Sequence, residues 1–223
     1  MKVYVNPNHT VSFDVDAQKT FSPICPNELP VPEGDQIVPE LNKNASKAHW
    51  RVGSKDCHSS HAVWVATKEK PQFSPVKLPN VDIAWNLHAE NGTKGYELLE
   101  GLPASEDYDF MAEKGTENHL HPYGACYKTL VPSEKTGRMQ STGVIEFLKS
   151  WGITTVILGG LAWEYCVFNT ALQLKEAGFE VIFNRSATRA ITKEGAEKAD
   201  KVMIEAGIMI VDSADEIVSL PWG

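Results

Sequence analysis

The sequence predicts an α/β fold with a mainly parallel central sheet. Two observations lead to this prediction: proline is concentrated near the N-terminus, and the proline-free part alternates short apolar runs with segments of helical spacing. Nine of the 13 prolines lie within residues 7–79, and none lies within residues 133–220. Strands and helices that alternate at these lengths form right-handed βαβ units, whose strands are parallel. We expect a single domain over residues 1–223, because this length supports one sizeable core.

The clearest predicted elements lie in the proline-free part. Short apolar runs there are typical of buried parallel strands, and the segments between them have apolar residues at helical spacing. Gly178 and Gly207 are expected to end helices, and Thr192 is expected to cap one. The predicted elements are, in order, a helix over 142–151, a strand over 154–158, a helix over 166–177, a strand over 179–183, a helix over 192–206 and a strand over 208–211.

The first half of the chain has weaker patterns. Residues 11–16 alternate as a strand does, and residues 50–54 and 108–112 are further predicted strands. Residues 35–47 have a weak helical pattern. We predict a long loop over residues 66–80, which contain three prolines. Long loops inside compact domains are usually functional or disordered.

Composition narrows the class of protein. The net charge is −8 and basic residues form no cluster, so we expect no nucleic-acid partner. No apolar run reaches the roughly 18 residues that cross a bilayer, and residues 1–7 lack signal-peptide features, so we expect no membrane partner. The four cysteines have no CxxC spacing, which favours reduced thiols and a cytoplasmic location. A small molecule is the expected partner.

Reactive side chains follow several of the predicted strands. Asp16 follows the first, residues 56–58 (Asp-Cys-His) follow the second, Lys114 follows the third, and Cys166 follows a glycine-rich strand end. Ligands of an open parallel sheet bind beyond the carboxyl ends of its strands. We therefore expect these groups to share one site.

Cys166 is the candidate nucleophile of this site. Exposed backbone N–H groups in the first turn of the predicted helix favour a thiolate and could hold an oxyanion. A buried core cysteine is the alternative interpretation. The presence of Asp16 and Lys114 favours the catalytic one, because a carboxylate can move the thiol proton and an ammonium group stabilises both anions.

A second constellation predicts a metal site. Asp56 and His58 are two residues apart, so on an extended chain both side chains point the same way. With a distant histidine, His88, they form a plausible ligand set for one divalent ion, with Zn²⁺ first and Fe²⁺ or Mn²⁺ as alternatives. His61 is a further candidate ligand. We expect the remaining histidines to lie on the surface; they are His9, His49, His119 and His121.

Taken in order, these motifs resemble the isochorismatase-like cysteine hydrolases, and among them the nicotinamidase (pyrazinamidase) branch. The resemblance covers nearly the whole chain. The segments that carry it are Asp-Ala-Gln-Lys-Thr-Phe at 16–21, residues 29–42, Asp-Cys-His at 56–58, Trp-Asn-Leu-His at 85–88 with 92–95, Lys-Gly-Thr at 114–116 with Tyr123, and residues 160–167 with 170–171.

The resemblance implies a three-layer αβα sandwich and a metal-dependent amidohydrolase that converts nicotinamide to nicotinate and ammonia for NAD salvage, with pyrazinamide as a second substrate. It implies a thioester on Cys166, a proton shuttle at Asp16 and electrostatic support from Lys114. The implied oxyanion hole consists of the N–H groups of Ala162 and Cys166, next to a cis Ala162–Trp163 bond. The implied metal ligands are Asp56, His58, His88 and His61; the implied substrate-binding residues are Phe21, Trp85, Tyr123 and Trp163.

Three alternatives stay open from the residues. One is a relative acting on another substrate, such as isochorismate or a small amide or ureido compound, although metal-free members lack the Asp-x-His set. A second is a non-catalytic relative, which should have lost a member of the triad. A third is a thiol redox protein, for which Cys126 would have to approach Cys166. Homo-oligomers are common in the family, so a homo-oligomer is expected here.

Overall fold

A six-stranded parallel sheet forms the centre of the computed structural model, which describes residues 2–221. In chain order, its strands and helices and those that flank it are β1 (Val3–Val5), β2 (Thr10–Val15), α1 (Val38–Ala45), β3 (Trp50–Asp56), β4 (Pro75–Leu78), β5 (Val81–Ile83), β6 (Phe110–Lys114), α2 (Val144–Ser150), β7 (Thr155–Leu161), α3 (Phe168–Glu176), β8 (Glu180–Arg189), α4 (Lys193–Glu205), β9 (Met209–Val211) and β10 (Ile217–Ser219). The central sheet has the order β6-β3-β2-β7-β8-β9. This confirms the predicted α/β class and parallel sheet.

Helices and a small ribbon cover the two faces of the sheet. On one face, apolar side chains of α2, α3 and α4 pack against residues such as Phe13 and Leu158. On the other face, Leu41 of α1 packs against Leu161, and the parallel β1–β10 pair packs against Ile157. The alternation of side chains along each strand produces these two cores, and the result is the expected three-layer arrangement.

The register of the sheet brings the carboxyl ends of its middle strands to one edge. Val15 lies beside Gly160 of β7, and Asp56 of β3 lies beside Lys114 of β6. Gly160 has φ +129°, and a Cβ there would lie 1.9 Å from the Val15 carbonyl oxygen. Glycine is therefore required where β7 turns towards the site.

Local signals for helix ends are confirmed. The Thr192 hydroxyl accepts a hydrogen bond from the Gly195 N–H at 3.0 Å, as a capping residue does. Gly178 and Gly207 follow helices with φ of +95° and +75°. No helix within residues 2–221 has the length and apolar character needed to cross a bilayer.

Three local predictions need correction. Residues 66–80 are not a continuous loop, because they include β4, which pairs antiparallel with β5. The predicted helix from residue 166 begins later: Trp163–Val167 form a π-helical turn, and the α-helix starts at Phe168. The cis peptide bond joins Leu161 and Ala162, one position before the expected bond.

Candidate active site

Three strands deliver the charged groups of the site to one point. Asp16 follows β2, Asp56 ends β3 and Lys114 ends β6, and all three side chains are buried. The Lys114 ammonium donates a hydrogen bond to Asp56 Oδ1 at 2.5 Å and lies 2.9 Å from Asp16 Oδ2. It also donates to the Pro122 carbonyl at 3.3 Å. A buried cation between two carboxylates is thus the centre of the site.

Cys166 completes this group from the π-helical turn after β7. The Lys114 ammonium lies 3.6 Å from Cys166 Sγ. Ligand atoms of Asp16, Asp56 and Cys166 all lie within 4.8 Å of one another. The structure therefore brings together the sulfur, carboxylate and ammonium groups that the sequence placed in three separate segments.

Local hydrogen bonds orient Asp16. The Ser54 hydroxyl donates to Asp16 Oδ1 at 2.6 Å, and the Asp16 N–H donates to the Ser54 carbonyl at 3.0 Å. Asp16 has φ +44°, so the chain turns sharply directly after β2. One carboxylate oxygen is fixed by Ser54, and the other faces Lys114.

Burial decides the protonation states of the site. It raises the pKa of the Cys166 thiol well above its usual value, although Lys114 opposes this change. It also raises the pKa of Asp16, again against Lys114. Burial alone would lower the pKa of Lys114, but the carboxylates of Asp16 and Asp56 outweigh it and hold this pKa well above its usual value. The resting cysteine is therefore a thiol, which corrects the expectation that the turn makes it a thiolate.

Three histidines lie beside this group. Ring nitrogens of His58, His88 and His121 are all within 4.8 Å of one another, and the three side chains are buried. His61 is exposed and belongs to no such cluster within residues 2–221. The structure thus corrects the expectation that His121 lies on the surface, and it leaves His61 outside the cluster. Residues 115–120, between Lys114 and His121, have no periodic pattern that could have shown this.

The arrangement of these histidines fits a divalent metal. The Gly115 carbonyl lies 3.0 Å from His58 Nδ1, and the Asn86 carbonyl lies 2.7 Å from His88 Nδ1. Carbonyl oxygens only accept hydrogen bonds, so each Nδ1 carries the proton and each Nε2 presents a lone pair. Asp56 Oδ1 lies 3.5 Å from His58 Nε2, which is buried without a hydrogen-bond partner. Nitrogen and carboxylate donors of this kind suit Zn²⁺, Fe²⁺ or Mn²⁺.

Burial keeps two of these imidazoles neutral, which is the form that binds metal. It lowers the pKa of His88 to about 3, and it lowers the pKa of His121 well below its usual value. In contrast, burial would raise the pKa of Asp56, but Lys114 and His58 outweigh it and lower this pKa. The site therefore combines neutral nitrogen donors with an ionised carboxylate.

A small cavity of about 20 Å³ opens onto Cys166, His88 and His121. This volume holds about one water molecule, so an aromatic ligand enters only when the lining side chains move apart. The predicted substrate residues Phe21, Trp85 and Tyr123 line it, as do Ala162 and Cys166. Half of the remaining lining is apolar or aromatic (Leu29, Tyr165 and Ile191), and the other half is Asp56, His88 and His121.

Trp163 does not line this cavity, which corrects its predicted role. Its indole N–H donates to Asp200 at 3.0 Å, and its ring packs against Phe183 with 5.2 Å between centroids. Tyr165 faces the cavity in its place and contacts Trp85, with 5.0 Å between ring centroids. The π-helical turn determines which of these neighbouring side chains points inward.

A hydrogen-bond chain fixes one aromatic wall. The Trp85 indole donates to the Tyr123 hydroxyl at 3.1 Å, and this hydroxyl donates to Asp82 at 2.7 Å. Asp82 also accepts from the Ile83 N–H at 2.7 Å. Asp82 lies in a hairpin strand and belongs to no motif of reactive residues, so its role could not be predicted from the sequence.

Fold and site together define the class of protein. A cysteine, a carboxylate and a lysine lie together at the edge of a parallel sheet, next to a cluster of histidines that could hold a metal. This is the arrangement expected for the cysteine hydrolases that the sequence resembles. The chain belongs to the isochorismatase family, because the model of the isochorismatase domain matches residues 13–215.

Relatives and solved structures agree with this assignment. The nicotinamidase of Acinetobacter baylyi is 28% identical over 217 residues, which cover 95% of this chain and 96% of that protein. The structure of a nicotinamidase/pyrazinamidase of Acinetobacter baumanii is similar with a TM-score of 0.82, 26% identity and coverage of 95% and 99%. A pyrazinamidase of Pyrococcus horikoshii, in complex with zinc, is similar with a TM-score of 0.71, 29% identity and coverage of 91% and 98%.

Proposed function

We propose that the chain is a nicotinamidase that hydrolyses nicotinamide to nicotinate and ammonia through a thioester on Cys166. The observation that carries this proposal is the convergence of Asp16 and Lys114 on Cys166, which lines a small cavity. A relative named nicotinamidase, aligned over 95% of this chain, supports the choice of substrate. Pyrazinamide, a similar aromatic amide, is proposed as a second substrate.

Widened by movement of its lining side chains, the cavity would hold the aromatic ring of the substrate between apolar walls. Phe21 and Trp85 are 2% and 1% exposed and both line the cavity, so their rings offer packing surface that is already desolvated. The carboxamide would then face Cys166. Binding in this orientation replaces an encounter in solution by a defined approach of sulfur to carbon.

The first chemical step is the attack of Cys166 on the carboxamide carbon. Because the resting group is a thiol, its proton must leave, and a carboxylate oxygen of Asp16 is the acceptor within reach. The ammonium of Lys114 stabilises the thiolate as it forms. The N–H groups of Ala162 and Cys166 would hold the oxyanion; removing one such donor typically costs about 3 kcal/mol.

The second step returns the proton. Asp16, with its raised pKa, holds the proton and delivers it to the amide nitrogen, so that the C–N bond breaks and ammonia leaves. Asp16 then takes a proton from a water molecule that attacks the thioester carbon. The C–S bond breaks, the acid is released, and the thiol re-forms. One water is consumed for each ammonia.

Asp56, His58 and His88 would hold the divalent metal in this enzyme. When bound, such an ion supplies a Lewis acid that orients polar ligand atoms and acidifies water. Zinc is the proposed ion, because the pyrazinamidase of Pyrococcus horikoshii is in complex with zinc. Iron and manganese also suit this donor set.

The test is ammonia release from nicotinamide by purified protein. We expect turnover that a chelator abolishes and that added zinc restores, with pyrazinamide also hydrolysed. The Cys166→Ala variant should release no ammonia while keeping the metal content of the parent. Turnover by that variant would rule out the thioester route, and failure of the parent to act on nicotinamide while it hydrolyses a ureido compound would reassign the substrate.

Two further proposals concern the setting of the enzyme. All four cysteines are unpaired and buried, which supports a cytoplasmic location. A homo-oligomer is proposed from the family resemblance alone. Sedimentation of the purified protein tests it, and a sedimentation coefficient of a monomer would contradict it.

A further inference from the structure

We propose that His121 is a fourth protein ligand of the divalent metal and completes a set of three histidines and one aspartate with His58, His88 and Asp56. This inference rests on the metal site of the proposed function and deepens it. It adds a metal ligand from the segment that follows β6. The same segment contributes Tyr123 to the cavity wall.

The hydrogen-bonding state of His121 carries the argument. The side chain is 3% exposed, and both of its ring nitrogens are buried without a hydrogen-bond partner. A buried imidazole that makes no hydrogen bond is costly, and such groups in native proteins need an explanation. His58 Nε2, in the same cluster, is also without a partner. One ion between these residues would satisfy His58 Nε2 and one of the two ring nitrogens of His121.

The distances are compatible with one shared ion. Two nitrogens bound to zinc at about 2.1 Å in a tetrahedral site lie about 3.4 Å apart. The ring nitrogens of His58, His88 and His121 lie within 4.8 Å of one another, so closing on one ion shortens the longest separation by at most about 1.4 Å. Rotations of the three side chains would have to supply this contraction.

The backbone holds His121 at this place. Its N–H donates to the Asn80 carbonyl at 2.9 Å, and the carbonyl of the next residue, Pro122, accepts from Lys114 at 3.3 Å. The segment is therefore fixed on both sides of the imidazole. A site formed by fixed groups loses little conformational freedom when it binds its ligand.

Packing is the competing explanation. The rings of His58 and His121 are stacked, with 5.4 Å between centroids and 19° between planes, and Trp64 lies 4.5 Å from His121. A residue that only fills this space could be replaced by another side chain of similar size without any effect on the metal. The two explanations thus differ in the affinity for zinc and in the spectrum of a bound reporter ion.

The decisive experiment measures metal binding by itself. Metal-free protein is titrated with zinc against a competing chelator for the parent, His121→Gln and the exposed control His61→Gln. We expect the zinc dissociation constant to rise at least about tenfold in His121→Gln and to stay unchanged in His61→Gln. Equal affinity of the parent and His121→Gln would overturn the proposal.

A second variant keeps the test decisive if His121→Gln does not fold. His121→Cys, made in the Cys166→Ala background, replaces the imidazole by another zinc ligand. With cobalt bound, a thiolate at residue 121 should give a sulfur-to-cobalt absorption band that the Cys166→Ala parent lacks. A folded His121→Cys protein that binds cobalt without this band would show that the residue does not reach the ion.

These measurements separate this inference from the proposed function. Ammonia release from nicotinamide is followed on the same samples. If the His121 variant binds zinc more weakly but the parent protein releases no ammonia, the ligand assignment stands and the proposed substrate is wrong. If the parent protein releases ammonia but zinc affinity does not depend on His121, the proposed function stands and the ligand assignment is wrong.

Discussion

Replacing Lys114 by methionine tests the electrostatic centre of the site. The ammonium is fully buried and lies between Asp56 Oδ1 at 2.5 Å and Asp16 Oδ2 at 2.9 Å. Methionine has a similar volume but no charge, so Lys114→Met leaves two buried carboxylates without a counter-ion. Breaking a buried ion pair in this way costs about 3–5 kcal/mol. At about 2–4 °C per kcal/mol for a chain of this size, we expect Tm to fall by about 10 °C.

The assay is urea and thermal unfolding of metal-free protein, with Lys198→Met as the matched control. Lys198 lies 2.8 Å from Glu194 on α4, but both side chains are exposed, so the control should leave the unfolding midpoint nearly unchanged. If Tm and the urea midpoint fall equally in the two variants, the large contribution of Lys114 to stability does not come from the burial of its charge.

The pH dependence of this variant has a definite sign. In the parent protein, Lys114 helps to hold the folded pKa of Asp56 below its usual value, so the stabilisation by Asp56 is present above about pH 4 and is lost as the pH falls. Without Lys114, burial raises this pKa, and protonation then favours the folded state. The difference in stability between parent and variant should therefore narrow from pH 7 towards pH 4. A difference that widens over this window would contradict the argument.

Three further predictions concern the thiol, the cavity wall and the sheet edge. Because its pKa is raised well above the usual value, Cys166 should react with iodoacetamide slowly at pH 7 and faster as the pH rises beyond 9, as mass spectrometry can follow. Asp82→Ala should raise KM for nicotinamide about three- to tenfold with little change in kcat, because Asp82 orients the Tyr123 hydroxyl. Gly160→Ala should lower the free energy of unfolding by about 3 kcal/mol or more, because the added Cβ meets the Val15 carbonyl.

Each of these predictions has a control. A rate of alkylation that is already maximal at pH 7 would show a resting thiolate. Asp82→Ala should have no effect in a protein that already carries Tyr123→Phe, and an unchanged effect there would remove Asp82 from the chain of contacts. Gly137 has φ +64° and no atom within 4 Å of an added Cβ, so a loss in Gly137→Ala equal to that in Gly160→Ala would contradict the steric explanation.

Much of the site could be predicted from the sequence, for a physical reason. Parallel strands of one sheet end at one edge, so residues that directly follow predicted strands must be neighbours. Asp16, Lys114 and the residues from Asp56 to His58 have this property, and the structure places them together. Phe21 and Trp85 also line the cavity, as the family resemblance implied.

The tertiary structure alone decided the rest. His121 lies in an irregular segment, where no periodicity relates sequence position to direction, and only the packing of that segment against Asn80 brings its imidazole to His58. One π-helical turn puts Tyr165 rather than Trp163 into the cavity. The protonation of Cys166 depends on burial, which is a property of the assembled fold. The sequence pattern thus determined which reactive residues the parallel strands bring to one edge of the sheet. The path of the irregular segments and the burial of each side chain depend on contacts between residues that are distant in sequence, so only the tertiary structure decided them.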